Sequence, residues 1–242
     1  MIEIVQPQWP APATVSACCT TRIGGVSAAP YDSLNLALHV GDDAARVNAN
    51  RERLREQMGL PAEPCWINQT HGIRAVILEQ DSERDADAAI TRRAGMVAVV
   101  MTADCLPILV CNRSGTEVAA VHAGWRGLQA GVIQSTLDAM KSSSEELMAW
   151  IGPGIAQPCF EVGDEVRAAF SDTIRGAQDY FSPHGPGHWL CDLGGLAERV
   201  LNQRGVNQVF RDPHCSYRDA DLFYSYRRDT ATGRMAALIW ID

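Results

Sequence analysis

Cys105 and His122 lie on either side of a short polar turn, and they are the pair in this sequence best placed to do chemistry. The turn is Asn112-Arg113-Ser114-Gly115, and the apolar runs 106–111 and 118–121 that flank it read as two strands of one antiparallel hairpin. If Asn112 faces Gly115, paired residue numbers sum to 227 and Cys105 stands opposite His122. Directly opposed residues carry Cβ atoms about 4.5–5.5 Å apart on one face. A thiolate and an imidazole so placed can reach a single ion, and that donor set suits zinc. A bulge at Gly115 would shift the pairing by one residue and set the two side chains diagonal. The same pair without a metal can act as thiolate nucleophile and base.

His122 is followed at once by Ala123-Gly124-Trp125-Arg126-Gly127 and then by a helical pattern, a strand, glycine turn and helix where backbone N–H groups and Arg126 face an anion. Trp125 reads as a core or lid side chain more readily than as a stacking platform. His71, in Gln69-Thr70-His71-Gly72, sits at a turn; alone it reads equally as a hydrogen-bonded surface residue. Asp104 either orients a neighbour or acts as a base, or simply caps the Thr-Ala-Asp turn. Asp85-Ala86-Asp87 reads as a solvated loop. His39 stays a candidate proton carrier, whereas His184, His188 and His214 read as surface residues.

Positioning these groups requires strands at 14–20, 96–101, 106–111, 118–121, 148–151 and 235–241. Helices are expected after Asp43 as N-cap, closed by Gly59, and after Gly124, carrying Leu128, Val132, Leu137 and Met140. Others are expected at 164–170 and at 193–203, the latter ended by Gly205. A second hairpin is expected where Asp229-Thr230-Ala231-Thr232-Gly233 separates Phe223-Tyr224-Ser225-Tyr226 from the last strand. The fold class is therefore α/β (α+β), one domain over 1–242, with a mixed central sheet containing antiparallel hairpins and covered by helices. No repeat, dinucleotide fingerprint or Walker motif is present.

The chain has 242 residues, is 46% hydrophobic and carries a formal net charge of -8, which disfavours nucleic acid and anionic membrane as partners. The start of the sequence has neither a basic segment nor an apolar stretch of the exported kind, so a cytoplasmic location is expected. Eight cysteines, two of them adjacent at Cys18-Cys19, read as reduced thiols and not as a disulfide framework.

Taken together, Cys19-Thr20-Thr21-Arg22-Ile23-Gly24-Gly25-Val26-Ser27, Tyr31-Asp32-Ser33-Leu34-Asn35-Leu36, Gln69-Thr70-His71-Gly72, Met101-Thr102-Ala103-Asp104-Cys105-Leu106-Pro107, Val121-His122-Ala123-Gly124-Trp125-Arg126-Gly127 and Ser225-Tyr226-Arg227-Arg228 resemble the YfiH, or laccase-domain, family in order and spacing over almost the whole chain. Thr70 stands where many members carry Val. The resemblance implies a YfiH-like, cysteine-hydrolase-like fold with one metal on His71, Cys105 and His122. Zinc is the expected ion and copper the alternative. It further implies a purine nucleoside phosphorylase acting on adenosine, inosine and methylthioadenosine, with adenosine deaminase activity. Purine nucleoside and phosphate are the expected small-molecule partners, and the oligomeric state is left open. On this reading His71, Cys105, His122 and Asp104 are the catalytic set. Arg22 and Gly24 in one turn, Asn35 and Arg126 are candidates for substrate contact.

The resemblance carries two other activities. One is a Cys-His amidohydrolase that edits peptidoglycan precursors. The other is the polyphenol oxidase, or laccase, of older naming, for which Met101 could act as an axial copper ligand. Six histidines with no His-x-His pair cannot furnish a trinuclear copper cluster, so a conventional laccase is excluded.

Overall fold

The computed structural model describes all 242 residues. Its long central strands are apolar on both faces, and this dictates the architecture. Val97–Thr102, Leu106–Asn112, Val118–Ala123 and Met235–Ile241 are buried at every position, a pattern that requires cover on each side of the sheet.

Six strands form the larger sheet: β3 (Ala75–Ile77), β4 (Ala88–Thr91), β6 (Leu106–Asn112), β7 (Val118–Ala123), β8 (Leu147–Ile151) and β12 (Gln208–Arg211), in the order β12-β8-β6-β7-β4-β3. The β12–β8 and β3–β4 pairs are parallel and the rest antiparallel. A second sheet joins β1 (Ile4–Val5), β2 (Val15–Thr20), β13 (Met235–Ile241) and β5 (Val97–Thr102) in that order. A small third sheet holds β9 (Glu161–Gly163), β10 (Phe181–Pro183) and β11 (His188–Cys191).

Alternation along the strands sorts the layers. Ile108 and Val110 of β6 face α2 (Trp125–Ala130), α3 (Val132–Ala139), α4 (Asp164–Thr173) and α5 (Leu193–Gln203), whereas Leu109 and Cys111 face the second sheet. In β13, Ala237 and Ile239 meet the larger sheet, while Ala236 and Leu238 meet α1 (Ala44–Met58). The result is helix, sheet, sheet, helix. The expected mixed α/β class is present, but one face of the central sheet is covered by the second sheet and not by helices.

Three local expectations need correction. The helix after Gly124 is broken at Gly131, whose φ of 107° ends α2 before α3 begins. Residues 223–226 form no strand; Ser225 instead caps the short helix α6 (Tyr226–Asp229), accepting from Arg228 N. The hairpin register also differs: Pro107 pairs with His122 and Leu106 with Ala123, so paired numbers sum to 229. The Asn112 side chain explains this, because its Oδ1 accepts from Thr116 N and Glu117 N and closes a longer loop. No helix is long and apolar enough to cross a membrane.

Candidate metal centre

The register shift is by two residues, the period of a strand, so Cys105 keeps the face expected of it while losing its expected partner. Cys105 lies one residue before β6, next to Asp104 at φ 96°, and His122 is the penultimate residue of β7. His71 sits in the loop before β3 at φ 60°. One donor atom each from His71, Cys105 and His122 lie within 4.8 Å of one another. Cys105 Sγ is 3.9 Å from His71 Nε2, and the two imidazole rings meet edge to face at 4.8 Å. Tetrahedral zinc with Zn–N near 2.0 Å and Zn–S near 2.3 Å separates sulfur from nitrogen by about 3.5 Å. The cluster fits such an ion by donor type and by spacing.

The residue that unites the cluster is Asp87. It is 0% exposed, correcting its reading as part of a solvated loop. Its Oδ1 accepts from His71 N at 2.9 Å and contacts His122 Nδ1 at 2.8 Å. Its Oδ2 accepts from Gly72 N at 2.7 Å and from the Thr70 amide and hydroxyl. One carboxylate thereby shapes the loop that carries His71 and orients the His122 ring, leaving Nε2 to face the cluster. Burial alone would raise the Asp87 pKa, but the His122 contact and the Gly72 and Thr70 hydrogen bonds hold it below the ordinary carboxylate value.

Packing at the other wall is equally tight. A Cβ on Gly124 would stand 2.8 Å from Cys105 Sγ, and one on Gly127 2.9 Å from the Gly72 carbonyl. These two glycines let α2 approach the site closely enough to complete it. Gln69 ties the His71 loop to β5, since its amide donates to Met101 O and accepts from Met101 N, each at 2.7 Å.

Burial pushes the Cys105 thiol up, yet His122 and His71 outweigh it and bring the pKa down to about 6. His122 is the mirror case: burial lowers it, but Cys105 and Asp87 raise it to about 9. Without metal, these opposite shifts favour a thiolate beside an imidazolium.

The cluster opens on a cavity of about 600 Å³, lined by His39, Gln69, Met101, Thr102, Asp104, Trp125, Arg126, Phe160, Tyr226, Arg227 and Arg234 among others. Asp104 is present, but its oxygens accept from Ser216 Oγ and Arg227 N, each at 2.7 Å, so it clasps α6 to the site. Arg126 stacks over Trp125 with its Cζ 4.4 Å from the ring. Three expected contacts lie elsewhere. Arg22 donates to Asp32 and to the Ala220 carbonyl on a different surface, Gly24 packs against Met1 and Ile2, and Asn35 is fully buried, accepting from Arg234 N. Among the other histidines, His184 and His188 flank Glu161, and His214 is not simply a surface residue, because its Nδ1 bonds Asp212 at 2.7 Å.

Residues 16–242 match the family described as multi-copper polyphenol oxidoreductase laccase. A Shigella flexneri protein named purine nucleoside phosphorylase YfiH is 49% identical, with all of both chains covered. A Pseudomonas aeruginosa protein named purine nucleoside phosphorylase is 48% identical over 98% of this chain and 97% of its own. A crystal structure of a Neisseria meningitidis protein superposes with a TM-score of 0.95 at 47% identity, covering 99% of each chain.

Proposed function

As the chain belongs to the multi-copper polyphenol oxidoreductase laccase family, we propose that it is a zinc-dependent purine nucleoside phosphorylase. It cleaves adenosine, inosine and methylthioadenosine with phosphate, deaminates adenosine, and works as a single domain over 1–242. The observation that carries this reading is the convergence of His71, Cys105 and His122 at one side of a cavity of about 600 Å³, a size suited to a nucleoside. The names of the relatives support the substrate class. Three protein donors leave one coordination position for substrate or water, the arrangement of a catalytic ion. Zinc so held supplies Lewis-acid polarisation and activates water near neutral pH.

The chain's own residues do the rest. Asp87 fixes the His122 tautomer and the His71 loop. Trp125 and Tyr226 line the cavity, where aromatic side chains can contact a purine. His39 is the better candidate for moving a proton, because both oxygens of Asp104 are already engaged.

Protein purified without added metal is expected to hold about one zinc per chain, to cleave adenosine and inosine only with phosphate present, and to lose both properties in Cys105→Ala. Metal analysis also decides between zinc and copper, for which Met101 lines the same cavity.

A second reading has its own observation. Cys105, His122 and Asp87 form a thiol, imidazole and carboxylate series, with the thiol pKa at about 6, the arrangement of a cysteine hydrolase acting on an amide such as that of a peptidoglycan precursor. Full turnover by metal-free protein, lost in step with Cys105 alkylation, would transfer the assignment to that chemistry.

A further inference from the structure

The charge of the cavity is opposite to that of the chain. The protein carries a formal net charge of -8, yet the cavity presents Arg126, Arg227 and Arg234 against one carboxylate, Asp104, whose oxygens are engaged by Ser216 and Arg227. Low-dielectric walls lined by one sign of charge concentrate ligands of the other.

Of the three arginines, Arg227 is anchored through Asp104 and the Glu161 carbonyl, and Arg234 is anchored at more points. Its backbone N–H donates to Asn35 Oδ1 and its Nη1 donates to the Thr232 and Gly233 carbonyls at 3.0 and 2.9 Å. Nε and Nη2 are left without a protein partner. Those two nitrogens form the side-on edge of a guanidinium, which accepts two oxygens of one anion in parallel. Arg22 offers no such edge, because its Nε, Nη1 and Nη2 all donate within the protein.

A second, independent feature lies alongside. Thr102 pairs with Met235 across β5 and β13, so its backbone lies one strand position from that of Arg234. Thr102 is 2% exposed and lines the same cavity, and its Oγ1 has no hydrogen-bond partner. Buried hydroxyls are almost always satisfied; this one lies within the wall, and a ligand reaches it when the Thr102 side chain turns toward the cavity.

We propose that Arg234 and Thr102 form an oxyanion subsite that takes inorganic phosphate. The assignment of that phosphate as a co-substrate rests on the phosphorylase reading. In that reaction a phosphate oxygen forms a bond to ribose C1′ as the C1′–N9 bond breaks, the bonding pair leaves with N9, and the proton released by hydrogen phosphate ends on the free base. Arg234 holds the attacking anion by two hydrogen bonds. Asn35, behind it, is a positioning residue that fixes the Arg234 backbone.

The test is calorimetric binding of inorganic phosphate to the metal-loaded protein, together with the KM for phosphate. Arg234→Gln is expected to weaken phosphate roughly tenfold or more, the value of at least one charge-assisted hydrogen bond, with metal content unchanged. Arg234→Lys keeps the charge without the fork and is expected to fall between the two. Thr102→Val, close in shape, is expected to weaken phosphate without altering the melting temperature by more than a few degrees, and it serves where the Arg234 variants fold poorly. Wild-type phosphate affinity in both Arg234→Gln and Thr102→Val overturns the subsite. Adenosine 5′-monophosphate bound more tightly than phosphate, in an Arg234-dependent way, overturns the co-substrate role. Arg234-dependent phosphate binding by a wild type that cleaves no nucleoside upholds the subsite while removing the phosphorylase reading.

Discussion

Replacing Asp87 by Asn removes one charge and turns one acceptor oxygen into a donor, at a position that is 0% exposed. The structure shows what each orientation of the amide would meet. With its nitrogen on the Oδ1 side, the introduced amide confronts His71 N and His122 Nδ1. With its nitrogen on the other side it confronts Thr70 N and Gly72 N, while the Thr70 hydroxyl can rotate away. Either way two donors lose their acceptor in a buried place, at about 1–3 kcal/mol each, or about 2–6 kcal/mol in total. For a chain of this length the lower figure alone lowers the melting temperature by about 4–8 °C. Metal binding suffers separately, because His122 is released from its tautomer and the His71 loop from its shape. Loss of such an outer partner weakens metal binding by about 10–100-fold. The assay is chelator competition for zinc, run well below the melting temperature of the variant, beside thermal unfolding. Asp85→Asn, two residues earlier, exposed and with a side chain bonded only to Asn68, is the control, expected within about 0.5 kcal/mol of wild type. Wild-type zinc affinity in Asp87→Asn would refute the assignment of Asp87 as the organiser of the site.

Three further outcomes follow from the geometry. Gly124→Ala places a methyl group 2.8 Å from Cys105 Sγ, so zinc occupancy is expected to fall sharply while circular dichroism at low temperature stays native; full occupancy would show that the wall yields. Without metal, the Cys105 contribution to stability is complete above its ordinary pKa of 9.0 and is lost as pH falls through about 6, whereas that of His122 is complete below 6.5 and is lost as pH rises through about 9. Zinc binding near pH 7.5 must then displace about one proton from this pair, that of His122. Calorimetry in buffers of different ionisation enthalpy measures the number, and release of two would mean that the thiol is neutral. Leu109→Ala, between the two sheets at 0% exposure, is expected to cost about 2–5 kcal/mol with zinc stoichiometry unchanged; metal loss well below its melting point would contradict the separation of core from site.

The elements whose pattern is local were legible in the sequence. Asp43 and Gly59 bound α1 as expected, and the two strands that bring Cys105 and His122 together are where the apolar runs put them. Their register was less accessible, because it depends on the Asn112 side chain capping Thr116 and Glu117, not on strand composition. Asp87 was missed for a different reason. Its donors come from a loop remote in sequence, and an Asp-Ala-Asp stretch resembles solvated chain. The available signal was the fully apolar Ala88-Ala89-Ile90 that follows at once, since an acid abutting a strand buried on both faces must find partners. Arg234 carried a similar mark, as the cation directly before the wholly buried β13. Residues 223–226 misled because Phe223 and Tyr224 are both buried instead of alternating, and Asp104 clasps the following turn into helix.

The glycines at 124 and 127 bracket Trp125 and Arg126, two side chains that line the cavity. That arrangement divides the stretch into positions that exclude a side chain and positions that carry one into the cavity. The outer two admit no side chain without displacing Cys105 or the His71 loop, whereas the inner two can exchange bulk and charge without touching the donor cluster. Changes in what the cavity accepts are thereby channelled into the middle of the segment, and a library built on this scaffold would diversify Trp125 and Arg126 while keeping the flanking glycines constant.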